Sequence, residues 1–149
     1  MTEKVQMRND ILIEEMTRML DERRSVIFSP KGRSMLPTIV GERDSVKIVR
    51  NDSPSIGDIA LARIEPGHYV LHRIIGIDGD VAILRGDGNL DGTELCHLCD
   101  ICGTADAIIH PDGKVTDCKA FMPKTLGKCW MRLPRTARRY LLAIYRRLP

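Results

Sequence analysis

Between residues 45 and 116 the chain breaks into short stretches that alternate apolar and polar side chains, each closed by Gly, Pro, Asn or Asp. A period of two buries one face of an extended strand and leaves the other polar, so the spacing predicts strands over 45–50, 57–64, 69–77, 81–84 and 105–110. A further short extended piece is expected over 114–116. The breaks at 51–55, 66–67, 79–80 and 111–113 reverse the chain, which predicts antiparallel pairing. Gly79-Asp80 is short enough to join 69–77 to 81–84 as a hairpin. Residues 7–24 change period: Ile11, Leu12, Met16, Met19 and Leu20 fall on one helical stripe. The predicted fold is mainly β. It is a compact antiparallel β body over 25–118, with an N-terminal amphipathic helix within 1–24 and a basic linker and C-terminal helix within 119–149.

The ends of the chain differ in charge. Residues 118–149 hold nine Lys and Arg and no acid, whereas all 20 Asp and Glu lie before them. Such a segment meets a partner of opposite sign, a membrane surface or nucleic acid. Pro123, Gly127 and Pro134 predict a linker that carries the lone Trp130, followed by a helix over 135–147. With Trp130, Tyr140 and flanking arginines, residues 128–149 either lie in an anionic membrane interface or pack their apolar side on the β body. Nucleic acid is not the expected partner, since residues 1–24 offer no second helix to enter a groove. The longest apolar run, 140–145, is too short to cross a bilayer, and Met1-Thr2-Glu3-Lys4 does not open a signal peptide. The expected location is therefore cytoplasmic, with peripheral attachment at the inner membrane face through the basic tail.

Five cysteines, an odd number without an export signal, predict reduced thiols rather than a disulfide framework. Cys96-x-x-Cys99-x-x-Cys102, with His97, Cys118 and Cys129 nearby, has thiolates at a metal-like spacing but no second Cys-x-x-Cys pair. No metal or other cofactor is expected.

One turn stands apart. The β-branched run Ser25-Val26-Ile27-Phe28 ends in Ser29-Pro30-Lys31-Gly32-Arg33-Ser34-Met35-Leu36-Pro37. Gly admits left-handed backbone and Pro fixes φ, so Ser34 is held on a stiff turn after a strand. That setting suits a nucleophile, which must meet a base on one side and backbone N–H donors on the other. It is equally the composition of an ordinary polar turn. A base is offered by His72, which strand alternation places on one face with Val70 and Ile74.

Gly32-Arg33-Ser34-Met35-Leu36-Pro37-Thr38 resembles the Ser-Met-x-Pro-Thr nucleophile box of type I signal peptidases, which share a β-fold with the self-cleaving domain of SOS-type repressors. Further boxes follow in the family's order. Asp44-Ser45-Val46 resembles a Gly-Asp-x-Val box, and Gly57-Asp58-Ile59 a Gly-Asp-Ile box. His72-Arg73-Ile74 resembles the base box, and Gly86-Asp87-Gly88-Asn89 a Gly-Asp-x-Asn box. Histidine rather than lysine at the base position resembles the endoplasmic-reticulum and archaeal-type enzymes. The resemblance implies a serine endopeptidase with a Ser34–His72 pair, an acyl-enzyme intermediate and a substrate bound as an extended strand, cleaved after small side chains. Histidine-type relatives orient the base with an aspartate shortly after the last box. Thr93 stands nearest that position, and Asp87 and Asp91 are taken as the candidates ahead of Glu94. Gly32 stands where lysine-type relatives carry an oxyanion-hole hydroxyl. The alternative to a leader-processing or partner-cleaving enzyme is a weak or inactive peptide-binding module of the same fold.

Overall fold

In the computed structural model, which describes residues 9–119 and 121–147, one antiparallel sheet carries eight strands. They are β1 (Val26–Phe28), β2 (Ser45–Val49), β3 (Ile59–Glu65), β4 (His68–Asp78), β5 (Val81–Arg85), β6 (Glu94–His97), β7 (Ile101–Ile109) and β8 (Val115–Asp117). Their order is β1-β2-β7-β3-β4-β5-β6, with β8 on β7. Helix α1 (Asn9–Asp21) precedes the sheet; α2 (Phe121–Arg132) and α3 (Arg135–Arg147) follow it. The mainly-β architecture with helices at both ends is the one the periodicity predicts. Residues 7–8 of the expected first helix and residues 148–149 of the expected membrane-facing segment lie outside the described residues.

Strand β7 ties the sheet together, pairing its C-terminal half with β2 and its N-terminal half with β3. Strand β3 is buried on both faces. Ile59 and Leu61 pack with Met16 and Leu20 of α1 and with Val46 and Ile48 of β2. Ala60 and Ala62 point the other way, toward Ile74, Ala82, Leu84 and Cys96. Leu20 and Ile48 are fully buried, and each such side chain contributes about 1.5–3 kcal/mol of transfer free energy. The predicted β4–β5 hairpin is present: Asp78 pairs with Val81 across Gly79-Asp80, and Gly79 has φ +61.

Three elements depart from the sequence expectation. Strand β6 lacks β-branched residues and lies at the sheet edge with only Cys96 buried, so its sequence carries little strand signal. Strand β7 begins at Ile101 rather than 105, with Gly103 packed at the Val49 backbone and the Ile48 side chain. Residues 121–132 form helix rather than linker. Pro123 falls in the first turn of α2, where a missing N–H breaks no helical bond. Gly127 costs about 1 kcal/mol of helix propensity, but a Cβ there would lie 2.2 Å from Arg73 Nη1. A close approach of helix to sheet, invisible in local sequence, requires the glycine.

Candidate active site

The serine turn leaves β1 and returns to β2 over residues 29–44. Its base is tied by Ser29 Oγ donating to the Asp44 carbonyl at 2.9 Å and by Glu42 N–H donating to the Pro30 carbonyl at 2.8 Å. Gly32 adopts φ +85, and Gly41 packs so close that a Cβ would sit 2.2 Å from the Gly32 oxygen. Asp44, the fully buried carboxylate at the start of β2, accepts from Val40 N–H at 2.9 Å and faces Arg43 and His110. Burial alone would raise its pKa; the Val40 N–H, Arg43 and His110 outweigh burial and hold it below the ordinary carboxylate value.

The loop between β5 and β6 clamps this turn from the other side. Gly88 N–H donates to the Ser34 carbonyl at 2.8 Å. A Cβ on Gly88 would lie 2.3 Å from the Arg33 carbonyl oxygen. A Cβ on Gly86 would lie 2.3 Å from the Ser34 carbonyl oxygen and 3.1 Å from His72 Cδ2. The glycines of Gly86-Asp87-Gly88-Asn89 are thus the contact surface on which the serine turn and the histidine ring meet. Ser34 and His72 both line one groove of about 1030 Å³.

Sheet register supplies the histidine's carboxylate. His72 stands opposite Ala60 on β4, two residues before Ile74; Ile74 pairs with Leu84, and Leu84 pairs with Glu94. Paired residues and residues two apart share a sheet face, so His72 and Glu94 emerge on the same side. Glu94 Oε1 lies 2.5 Å from His72 Nδ1. The oxygen is within reach but off the N–H axis, so Nδ1 makes no aligned hydrogen bond there.

The two carboxylates favoured from sequence are engaged elsewhere. Arg73 points to the opposite sheet face from His72, and Asp87 follows it. Arg73 Nε and Nη2 donate to Asp87 Oδ1 and Oδ2 at 2.8 and 2.7 Å, a buried bidentate pair. Arg73 Nη1 donates to the Gly57 carbonyl at 2.7 Å, and Thr38 Oγ1 donates to Asp87 Oδ2 at 2.5 Å. Asp87 therefore links the base strand, the serine turn and the Gly57-Asp58 box. Asp91 is exposed and accepts both of its contacts from Arg135 Nε, at 3.0 and 2.9 Å. The carboxylate at His72 is Glu94.

Of the two settings open to residues 128–149, membrane interface or packing on the β body, the Trp130 side chain takes the second. It turns inward and its indole Nε1–H donates to the Asp87 carbonyl at 2.8 Å. Arg73, the residue after His72 in the base box, is the buried partner of Asp87. Sequence gave no signal for these contacts beyond an arginine and an aspartate inside adjacent boxes. Lys31 lines the groove, whereas Arg33 is exposed and does not line it.

The chain matches no protein-family model and no curated protein compared with it.

The cysteines do not enter the groove. Burial raises the pKa of Cys96 to about 11, and that of Cys118 likewise to about 11. Burial also raises Cys102, whose Sγ accepts from Thr17 Oγ1. Among the described residues no group of three or more His, Cys, Asp or Glu is disposed to hold a metal ion.

Taken together, the turn that carries Ser34 and the ring of the buried His72 meet on Gly86 and line one groove, and a carboxylate lies at the histidine's Nδ1. These are the parts needed to take a proton from a hydroxyl and to steady the resulting imidazolium.

Proposed function

We propose that the protein is a serine endopeptidase of the signal-peptidase-like class, acting on a leader peptide or a specific partner. The observation that carries this reading is the Ser34–Gly86–His72 contact with Glu94 at Nδ1. In the proposed reaction His72 accepts the Ser34 hydroxyl proton as Oγ attacks a peptide carbonyl. The tetrahedral oxyanion is held by backbone N–H groups, including that of Ser34. Collapse expels the amine, which takes the proton from His72 and leaves an acyl-Ser34. Water, deprotonated by His72, then attacks the acyl carbonyl; the Ser34 Oγ–acyl bond breaks, the acid product leaves, and His72 returns the proton to Ser34 Oγ. Glu94 positions the imidazole and offsets its transient charge.

The groove supports an extended substrate. Strand β1 pairs only with β2 among the described residues, and Val26, Ile27, Phe28 and Ser29 border the groove. A peptide added along that free edge as a strand would run its carbonyls toward Ser34. Val70, Leu71 and Met35 line the same groove and favour apolar side chains there; the proposed preference for small ones is what the signal-peptidase resemblance implies. The proposed setting is the cytoplasm or the inner membrane face; among the described residues no helix is long and apolar enough to cross a membrane.

The test is cleavage of a library of extended peptides, read by mass spectrometry, with Ser34→Ala and His72→Ala. Both variants should abolish cleavage of any peptide that the wild type cuts. Full activity in either one refutes the dyad.

A second reading, a peptide-binding module without turnover, is favoured by Gly32. It carries no hydroxyl, and one missing oxyanion donor typically costs about 10²–10³ in rate. Peptides retained in the groove but never cut by the wild type would select it.

A further inference from the structure

Helix α3 turns unlike sides to the body and to solvent. Arg138 and Leu142, one turn apart, are buried, and Arg138 donates to the carbonyls of Asn89 and Leu90 at 3.3 and 3.2 Å. At 100° per residue, Tyr140, Leu141 and Ile144 fall on one outward arc. They are 70%, 45% and 47% exposed. An amphipathic helix packed on a protein ordinarily buries its apolar stripe. Among the described side chains of α3, Arg138 and Leu142 face the body, while Tyr140, Leu141 and Ile144 face out. Leu126 of α2 and Leu133 between the helices are exposed as well.

The same two helices carry exposed cations, of which Arg135 is held by Asp91. Lys128, Arg132, Arg135 and Arg139 are all exposed, and residues 118–149 contain no acid. A second copy of the chain would bring cation against cation. A nucleic acid would satisfy the charges but leave Leu141 and Ile144 without a stacking face. An anionic lipid surface satisfies both, taking aliphatic and tyrosyl side chains at the acyl boundary and guanidinium groups at the phosphates.

We propose that α2 and α3 form a docking surface for an anionic phospholipid membrane, with Tyr140, Leu141 and Ile144 as the inserted side chains. Trp130 is not an anchor, since its indole is held by Asp87. Through that bond, and through Gly127 packed on Arg73, the docking surface is fixed to the strands that carry His72. The inference does not rest on the peptidase reading, because it concerns the outward side of the helices and is read by binding.

The test is co-sedimentation of the full chain with vesicles of phosphatidylethanolamine and phosphatidylglycerol, against vesicles of phosphatidylcholine alone. The chain should bind the anionic vesicles, more weakly as salt rises. Leu141→Ser with Ile144→Ser should weaken binding by about tenfold per side chain, at an unchanged melting temperature. Arg139→Gln, on an exposed side chain, reads the same surface independently and should weaken it by roughly fivefold. Equal partitioning onto both vesicle types, or binding unmoved by these variants, overturns the proposal. So does retention on duplex DNA without vesicle binding, or a concentration-dependent dimer that the serine variants dissolve.

Discussion

Replacing Asp87 by Ala separates a structural aspartate from a catalytic one. The carboxylate is fully buried and holds the Arg73 guanidinium through two hydrogen bonds of 2.8 and 2.7 Å. Arg73 is itself buried, so truncation of Asp87 strands a positive charge away from water. Breaking such a pair from one side costs about 3–5 kcal/mol. Thr38 loses its acceptor too, but it is only half-buried and can turn to solvent. For a chain of this size a loss of about 4 kcal/mol lowers the melting temperature by roughly 10 °C. In urea, with a slope of about 2 kcal/mol per molar, the midpoint falls by about 2 M. Far-UV circular dichroism reports the melt, and Trp130 fluorescence reports the same site, because its indole donates to the Asp87 carbonyl. Arg73→Met combined with Asp87→Leu should recover most of the loss, since matched apolar replacements remove the stranded charge. A drop of less than about 3 °C for Asp87→Ala, or no recovery in the double variant, would refute the buried-clamp account.

Glu94→Gln should leave the melting temperature nearly unchanged but lower kcat by about 10²- to 10³-fold, as the amide removes the negative charge 2.5 Å from Nδ1 that offsets the transient imidazolium; steady-state kinetics on a cleaved peptide checks it. Gly88→Ala should cost about 1–3 kcal/mol and impair the serine turn, because its Cβ meets the Arg33 carbonyl oxygen at 2.3 Å, a backbone atom that cannot step aside; urea melts and acylation rates read the two effects. Asp44 has a folded-state pKa below its unfolded value, so its stabilisation is present above about pH 3.9 and is lost as pH falls through the lower folded value. Asp44→Asn should therefore flatten the acid limb of a stability–pH curve, and melts across that range test it.

The strands legible in the sequence were those that alternate in burial or, like β3, are closed by turn residues at both ends. Strand β2 alternates along Ser45–Val49, and its burial alternates with it. Strand β6 was not legible because an edge strand with one buried residue carries no such pattern. Helix α2 was hidden by Pro123 and Gly127, whose placement is explained only by a helix start and by Arg73 across the interface. The site divides in the same way. Ser34 and His72 stand out locally, one on a stiff turn and one between apolar strand neighbours. Which carboxylate backs His72 is decided by a register running Ile74–Leu84–Glu94 over two strand pairs, which distance along the chain does not encode. Asp87 is nearer in sequence but belongs to the face of Arg73.

The most direct test of the central claim is acylation of Ser34 itself. The full chain is incubated with a fluorophosphonate probe across neutral and alkaline pH, and the adduct is located by intact and peptide mass spectrometry. The account predicts one adduct, on Ser34, absent in Ser34→Ala and strongly slowed in His72→Ala and Glu94→Gln. No adduct at Ser34 at any pH, or labelling at an unchanged rate in His72→Ala, would contradict it.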